Sequence, residues 1–240
     1  YSKLADTILK EKNMNQKTTF GETPLHFAAN LGDDLKLIML WVSGGSLYHS
    51  NQSNQIPLHY AAQRSDDITL IAHLMTGNSR FKKANTTYFK DDLGDTPLFH
   101  AAWAKSPKNA KFLIKSQFDV NERNKSGWTP LHYAARAGTP EIIFTMLEAG
   151  ANLEARSIFG ETPLLNAISI AYSKKNLLAL LKSGADVNAA DGRGYTALHL
   201  AIDSVYSRIP KDKQEDAIIT LLNHGANVNI KSDDGTTPWL

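Results

Sequence analysis

Apolar and polar positions follow one recurring order along this chain. A Thr-Pro pair precedes a Leu and a His, and this phrase or a close variant returns seven times. It stands at Thr23-Pro24-Leu25-His26, Ile56-Pro57-Leu58-His59, Thr96-Pro97-Leu98-Phe99, Thr129-Pro130-Leu131-His132, Thr162-Pro163-Leu164-Leu165, Thr196-Ala197-Leu198-His199 and Thr237-Pro238-Trp239-Leu240. Successive first residues lie 33, 40, 33, 33, 34 and 41 apart. A period of that size marks a stacked array, in which each unit buries its apolar face only against its neighbours.

The unit from Asn124 to Leu153 shows what the pattern predicts. Thr129 is placed to cap a helix, and Pro130 stands at the first helical position, where a missing N–H costs nothing. Ala134 and Ala135 give that helix a small-residue face for close packing. Gly138 ends it, and Gly150 ends a second helix at a left-handed position that glycine takes without steric cost. The Asn-x-x-Gly pattern ahead of Thr-Pro is turn chemistry, so a tight hairpin-like loop links the units. Leu4, Ala5, Ile8 and Leu9 read as the apolar face of a preceding second helix.

On these residues the chain resembles the ankyrin-repeat family, whose unit is a turn followed by two antiparallel helices. The Ala-Ala pair, the interior Gly and the run Gly184-Ala185-Asp186-Val187-Asn188 carry the resemblance together with Thr-Pro-Leu-His. It implies an all-α solenoid of helix-turn-helix units linked by hairpin-like loops, with six full repeats and a partial one at each end. Residues 1–240 form a single array in that reading: 1–17 are the end of a preceding repeat or an N-terminal cap, 18–50, 51–90, 91–123, 124–156, 157–190 and 191–231 are repeats, and 232–240 start a seventh. Lys105 replaces the interior Gly, Gln117-Phe118 replaces Gly-Ala and Ala197 replaces the Pro. Each departure is expected to cost stability locally without changing the fold.

Composition removes several functional classes. The chain carries 26 basic and 24 acidic residues, a net charge of +2, which gives no bulk footprint for nucleic acid or an anionic membrane. It has no cysteine, hence no disulfide, thiolate metal site or cysteine nucleophile, as suits a reducing compartment. No apolar run approaches the ~20 residues of a membrane span, and no signal or transit peptide is evident. Four of the eight His, namely His26, His59, His132 and His199, recur at one repeat position. Metal ligands gather within about 2 Å of one ion, whereas packed helices set equivalent residues roughly 10 Å apart. These four are expected to bond the backbone of the adjacent loop instead. Gly192-Arg193-Gly194 lacks the strand and helix that a phosphate-cradling loop requires. Ser, His and Asp show no pattern that would bring them together, so no catalytic residue, metal site or cofactor is expected.

The resemblance places partners on a concave face built from loop tips and the exposed side of each first helix. By register, solvent-facing positions there hold Trp103, Trp128, Arg136, Phe159 and Tyr195. Such residue types dominate interface hot spots, at ~2 kcal/mol or more each, so these five are expected to centre a protein-binding surface. For Trp128 and Tyr195 an alternative stands, in which the rings lie across the next loop and add packing between repeats. Seven extra residues between Gly77 and Gly94 bring in Phe81 and Tyr88 beside Lys82, Lys83 and Lys90. They are candidate partner contacts, with a folded-back structural loop as the alternative. A second insertion of eight residues lies around Tyr206 and Pro210.

The expected function is a noncatalytic, monomeric recognition module that binds another protein and scaffolds, recruits or inhibits it. Its rivals are the substrate-targeting arm of a multidomain enzyme and the cytosolic region of a membrane channel. Both ends fall inside a repeat and no Met opens the chain, so the sequence reads as a piece of a longer protein. The Lys- and Asn-rich, cysteine-free composition points to the cytoplasm and, in one reading, to a microbial effector in a host cytosol.

Overall fold

The structure, a computed structural model, describes residues 14–32, 38–41, 43–64, 68–76, 89–168, 172–202 and 209–239. Among them the regular structure is helical, with one isolated antiparallel bridge between Ala190 and Thr196. The chain groups into two compact units, Tyr1–Asp119 and Val120–Leu240. The first contains α1 (Pro24–Leu31), α2 (Pro57–Ala62), α3 (Ile68–Thr76), α4 (Pro97–Trp103) and α5 (Pro107–Lys115). The second contains α6 (Pro130–Ala137), α7 (Pro140–Glu148), α8 (Pro163–Ala167), α9 (Lys174–Lys182), α10 (Ala197–Ile202) and α11 (Lys211–Asn223).

Each unit is two layers of helices. In the first, α1, α2 and α4 pack side by side and α3 and α5 form the second layer. In the second, α6, α8 and α10 make one layer and α7, α9 and α11 the other. The sequence pattern explains this directly. The Leu of each phrase and the small residues three and four positions later are buried, as at Leu131, Ala134 and Ala135, which lets neighbouring helices approach closely.

Two asparagines fasten the layers in a way the periodicity does not announce. Asn176 Nδ2, on α9, donates to the carbonyls of Ala135 (3.4 Å) and Gly138 (3.2 Å) at the end of α6. In the first unit, Asn109 Nδ2 donates to Arg64 (3.1 Å) beyond the end of α2. Both are buried and satisfy carbonyls that a helix end leaves open.

The recurring His does the work expected of the Thr. His132 Nδ1 accepts the backbone N–H of Thr129 (3.0 Å), and its Nε2 lies 3.0 Å from the carbonyl of Glu161 in the next loop. A carbonyl only accepts, so Nε2 carries the proton and the Thr129 hydroxyl, 2.9 Å from Nδ1, donates to it. His26 and His199 repeat this arrangement onto the carbonyls of Gln55 and Thr236, and His59 repeats it onto that of Phe89 without the hydroxyl, since Ile56 stands in place of Thr. The simple cap expected of Thr129 is therefore replaced by a Thr–His relay into the neighbouring repeat. Where Leu165 stands in place of His, Thr162 Oγ1 caps directly, accepting from Leu165 N at 3.4 Å.

Where glycine is replaced, the backbone is left-handed all the same. Lys105 has φ +63° and Gln117 φ +71°, and Asn54 at +57° occupies the turn position that glycine fills in other loops. At Gly150, the counterpart of Gln117, a Cβ would meet nothing within 4 Å, so the backbone angle alone sets the cost of a side chain there. The left-handed region costs a non-glycine residue roughly 1–2 kcal/mol.

The helical cap read over Leu4–Leu9, Phe81 and Tyr88 lie outside the described residues. Phe89, at the end of the first insertion, is buried against Phe118 with ring centroids 5.8 Å apart.

Gln117→Gly should raise unfolding stability by about 1 kcal/mol, measured by urea denaturation. Acid should lower it, because burial holds His26 below the ordinary imidazole pKa of 6.5, His132 down to about 4, and His59, with His100 close by, down to about 3. The unfolded chain then binds more protons than the folded one as pH falls through 6.5 towards 4 and 3, and stability drops across that window. His132→Ala should cost roughly 2–4 kcal/mol at neutral pH and flatten part of the pH dependence.

Candidate functional site

The loops build the site. Each opens on a side chain that ties the turn: Asn124 Oδ1 accepts from Ser126 N and Trp128 N at 3.0 Å, and Gly127 N closes onto Asn124 O at 2.9 Å. Ser157 Oγ and Asp191 Oδ1 serve the next two loops in the same way. Successive tips are then joined through their backbones. Ile158 N donates to Ser126 O (3.0 Å), Gly192 N to Phe159 O (2.8 Å), and Asp233 N to Arg193 O (2.9 Å). Gly160 is needed twice over: its φ is +77°, and a Cβ there would lie 2.6 Å from Gly192 N.

In the second unit these joined tips frame a cleft of about 660 Å³. Its side-chain lining comes from Trp128, Ile158, Phe159, Glu161, Asp191 and Arg193, with Gly160 and Gly192 bringing bare backbone to the surface. Ile158 and Phe159 are 63% and 64% exposed. Trp128 is half-buried, stacked on His132, edge-on to Tyr133, and covered by the Arg136 guanidinium 5.4 Å from its ring centre. Its indole N–H donates to Glu161 Oε2 at 3.2 Å.

The five residues expected to share one surface divide. Trp128, Arg136 and Phe159 belong together around the cleft. Tyr195 does not face solvent as expected: it is 8% exposed, and its hydroxyl donates to Asp234 Oδ2 in the following loop at 3.0 Å. The reason is direction. This loop position leans its side chain over the next loop, as Trp128 does towards Glu161 and Gln55 towards Asp91. Trp103 ends α4 in the first unit and is 47% exposed. Arg193, outside the expected five, completes the cleft, and the bonds between tips reveal its place there.

One group among the described residues has the donor types of a metal site: Asp91, Asp95 and His100 in the first unit. Both Asp91 oxygens are engaged, one by the turn and one by His100. Asp91 Oδ1 accepts from Leu93 N and Asp95 N at 2.9 Å, and Oδ2 faces His100 Nε2 at 3.1 Å. Burial pushes the Asp91 carboxyl up, yet these bonds, that from His100 foremost, outweigh it and hold the group at about 2. In the preceding loop Asn51 makes the same reach to Tyr60 (2.9 Å) with an amide. The group is a tie between turn and helix. No helix among the described residues is long and apolar enough to cross a membrane.

A family model for ankyrin repeats matches residues 58–157 and 150–232. The BCL-6 corepressor-like protein 1 of Mus musculus is 43% identical over 75 residues, and that of Homo sapiens 42%. The stretch is 31% of this chain and 4% of each relative, so the chain spans a small fraction of those proteins. Among solved structures, the ankyrin repeat domain of Bcl-3, described as a unique member of the IkappaB protein family, superposes with a TM-score of 0.63. Identity there is 28%, over 91% of this chain and 92% of that one.

Tyr195→Phe should lower unfolding stability by about 1 kcal/mol, the worth of one hydrogen bond. Denaturation beside wild type measures it.

Proposed function

For this chain, which belongs to the ankyrin-repeat family, we propose a noncatalytic module that seats a partner protein on the hairpin side of its second unit. Ankyrin repeats are protein-interaction modules, and the cleft supplies the particular place. The observation that supports it is the exposure of Ile158 and Phe159 beside the Trp128 indole. Neighbouring large apolar side chains left open to water are a usual mark of a contact site.

The mechanism is preorganisation. The tips are already held by the backbone bonds between loops, and Trp128 by its stack and its bond to Glu161, so little ordering remains for a partner to drive. Trp103 offers a further contact from the first unit. The outcome of binding would be scaffolding, recruitment or inhibition. The setting we propose is a cytosol, the host's if the protein is a delivered effector, on the support of the cysteine-free composition.

Affinity capture with wild type and a Trp128→Ala/Phe159→Ser double variant tests the reading. A partner retained by wild type should bind the variant at least about 30-fold more weakly, the loss that a single hot-spot residue of ~2 kcal/mol implies. Circular dichroism confirms that the variant is folded. Undiminished binding by a folded variant would overturn the assignment of the seat.

A further inference from the structure

The cleft has a chemical sign as well as a shape, and the sign is set by which of its charges face inward. Two carboxylates line it, and both are occupied. Asp191 Oδ1 accepts two backbone N–H groups at 2.9 Å, its Oδ2 lies 3.3 Å from the Arg193 guanidinium, and its side chain is only 7% exposed. Glu161 Oε2 accepts the Trp128 indole N–H and the Ser157 hydroxyl, each at 3.2 Å. These donors draw the negative charge into the loops.

The cations are held the other way. The Arg193 side chain is 55% exposed, with its guanidinium 4.9 Å from the centre of the Tyr195 ring. Arg136 rests on Trp128 beside the cleft. A guanidinium laid on an aromatic face keeps its fork oriented, and that fork matches a carboxylate with two parallel hydrogen bonds. The Arg193 side chain keeps more than half of its surface in water beside the buried Asp191 carboxylate, so a partner carboxylate can reach the same guanidinium.

The apolar part limits the occupant in turn. Ile158, Phe159 and the open part of Trp128 suit one large side chain, and Gly160 and Gly192 leave backbone where an extended chain can approach closely. A volume of about 660 Å³ falls within the range of pockets that enclose small ligands, so it fits a short segment better than the face of a folded domain.

We infer that the cleft of the second unit takes a short extended segment of a partner protein, in which an aromatic or large aliphatic side chain stands within two residues of an Asp or Glu. The apolar side chain packs on Trp128 and Phe159, and the carboxylate meets Arg193, with Arg136 over the Trp128 ring adding positive charge at the edge of the cleft. This rests on the proposed binding role of the same cleft. Aromatic rings with arginines also suit single-stranded nucleic acid, but the near-balanced charge of the chain favours a protein segment.

The test is selection of a phage-displayed random octapeptide library on the full chain, with a Phe159→Ser chain as the counter-selection. Sequences enriched on wild type should pair an aromatic or Leu with an acidic residue. The leading peptide, labelled and followed by fluorescence anisotropy, should bind about tenfold more weakly when its acidic residue becomes the amide. Arg193→Gln with Arg136→Gln should remove that preference, so that acid and amide peptides bind alike. Enrichment of basic or acid-free sequences, or no enrichment over the Phe159→Ser chain, would overturn the inference, as would tighter binding of a labelled single-stranded oligonucleotide. If the captured partner still depends on Trp128 and Phe159 but is indifferent to both Arg substitutions, the seat stands and its acidic specificity falls. If it depends on neither pair, both readings fail.

Discussion

In the second unit each hairpin loop after the first gives one backbone N–H to the loop before it, and the site depends on that bond. The donors are Ile158, Gly192 and Asp233; the acceptors are Ser126, Phe159 and Arg193. The first unit repeats the step from Gln52 to Phe20 and from Asp92 to Ser53. A loop of this size cannot satisfy its own polar backbone once it is packed on both sides. Stacking therefore completes a hydrogen-bond requirement as well as burying Leu and Ala. That is why glycine or Asn54 holds the left-handed turn position: the chain must bend there and leave room for the following loop.

The His relay is a second layer of the same logic. One imidazole takes the N–H that opens a helix and gives its other proton to the next loop's carbonyl. A neutral ring with its proton on Nε2 serves both, and a charged one would turn a donor against the Thr N–H. Burial and tautomer thus support each other, and the acid sensitivity follows from connectivity. Where the ring is absent the repeat adjusts unevenly. Thr162 turns to its own helix, while the buried Thr96 hydroxyl, beside Phe99, finds no partner among the described residues.

The fold was legible in the sequence because its determinants are local and periodic: Thr-Pro for the helix start, Ala-Ala for close approach, Gly for the left-handed turn. The site was legible only in part. Register placed Trp128 and Phe159 on the loops, and the structure brings them to one cleft. It failed for Tyr195, because spacing gives a residue's position and not the way its side chain leans. It passed over Asn109 and Asn176, whose amides reach carbonyls 45 and 38 residues away. Nothing in a single repeat marks such a polar residue as a fastening.

Why variation collects at the tips follows from the same hydrogen bonds. At Phe20, Ser53, Ser126, Phe159 and Arg193 the third residue of the loop accepts from the following loop through its carbonyl, a bond that does not depend on its side chain. Along the chain that position holds Phe20, Ser53, Leu93, Ser126, Phe159, Arg193 and Asp234, which share no chemistry. The fifth residue is bound differently, since its side chain crosses to the following loop and must suit what it meets there. Trp128 with Glu161 and Tyr195 with Asp234 are matched pairs of this kind. Specificity can therefore change at the third position without loss of the bond between loops, Asp234 excepted because its carboxylate receives the Tyr195 hydroxyl, while a change at the fifth disturbs two repeats together. In the second unit Phe159 and Arg193 hold the third position of consecutive loops, one apolar and one cationic, and the cleft takes both its grip and its sign from them.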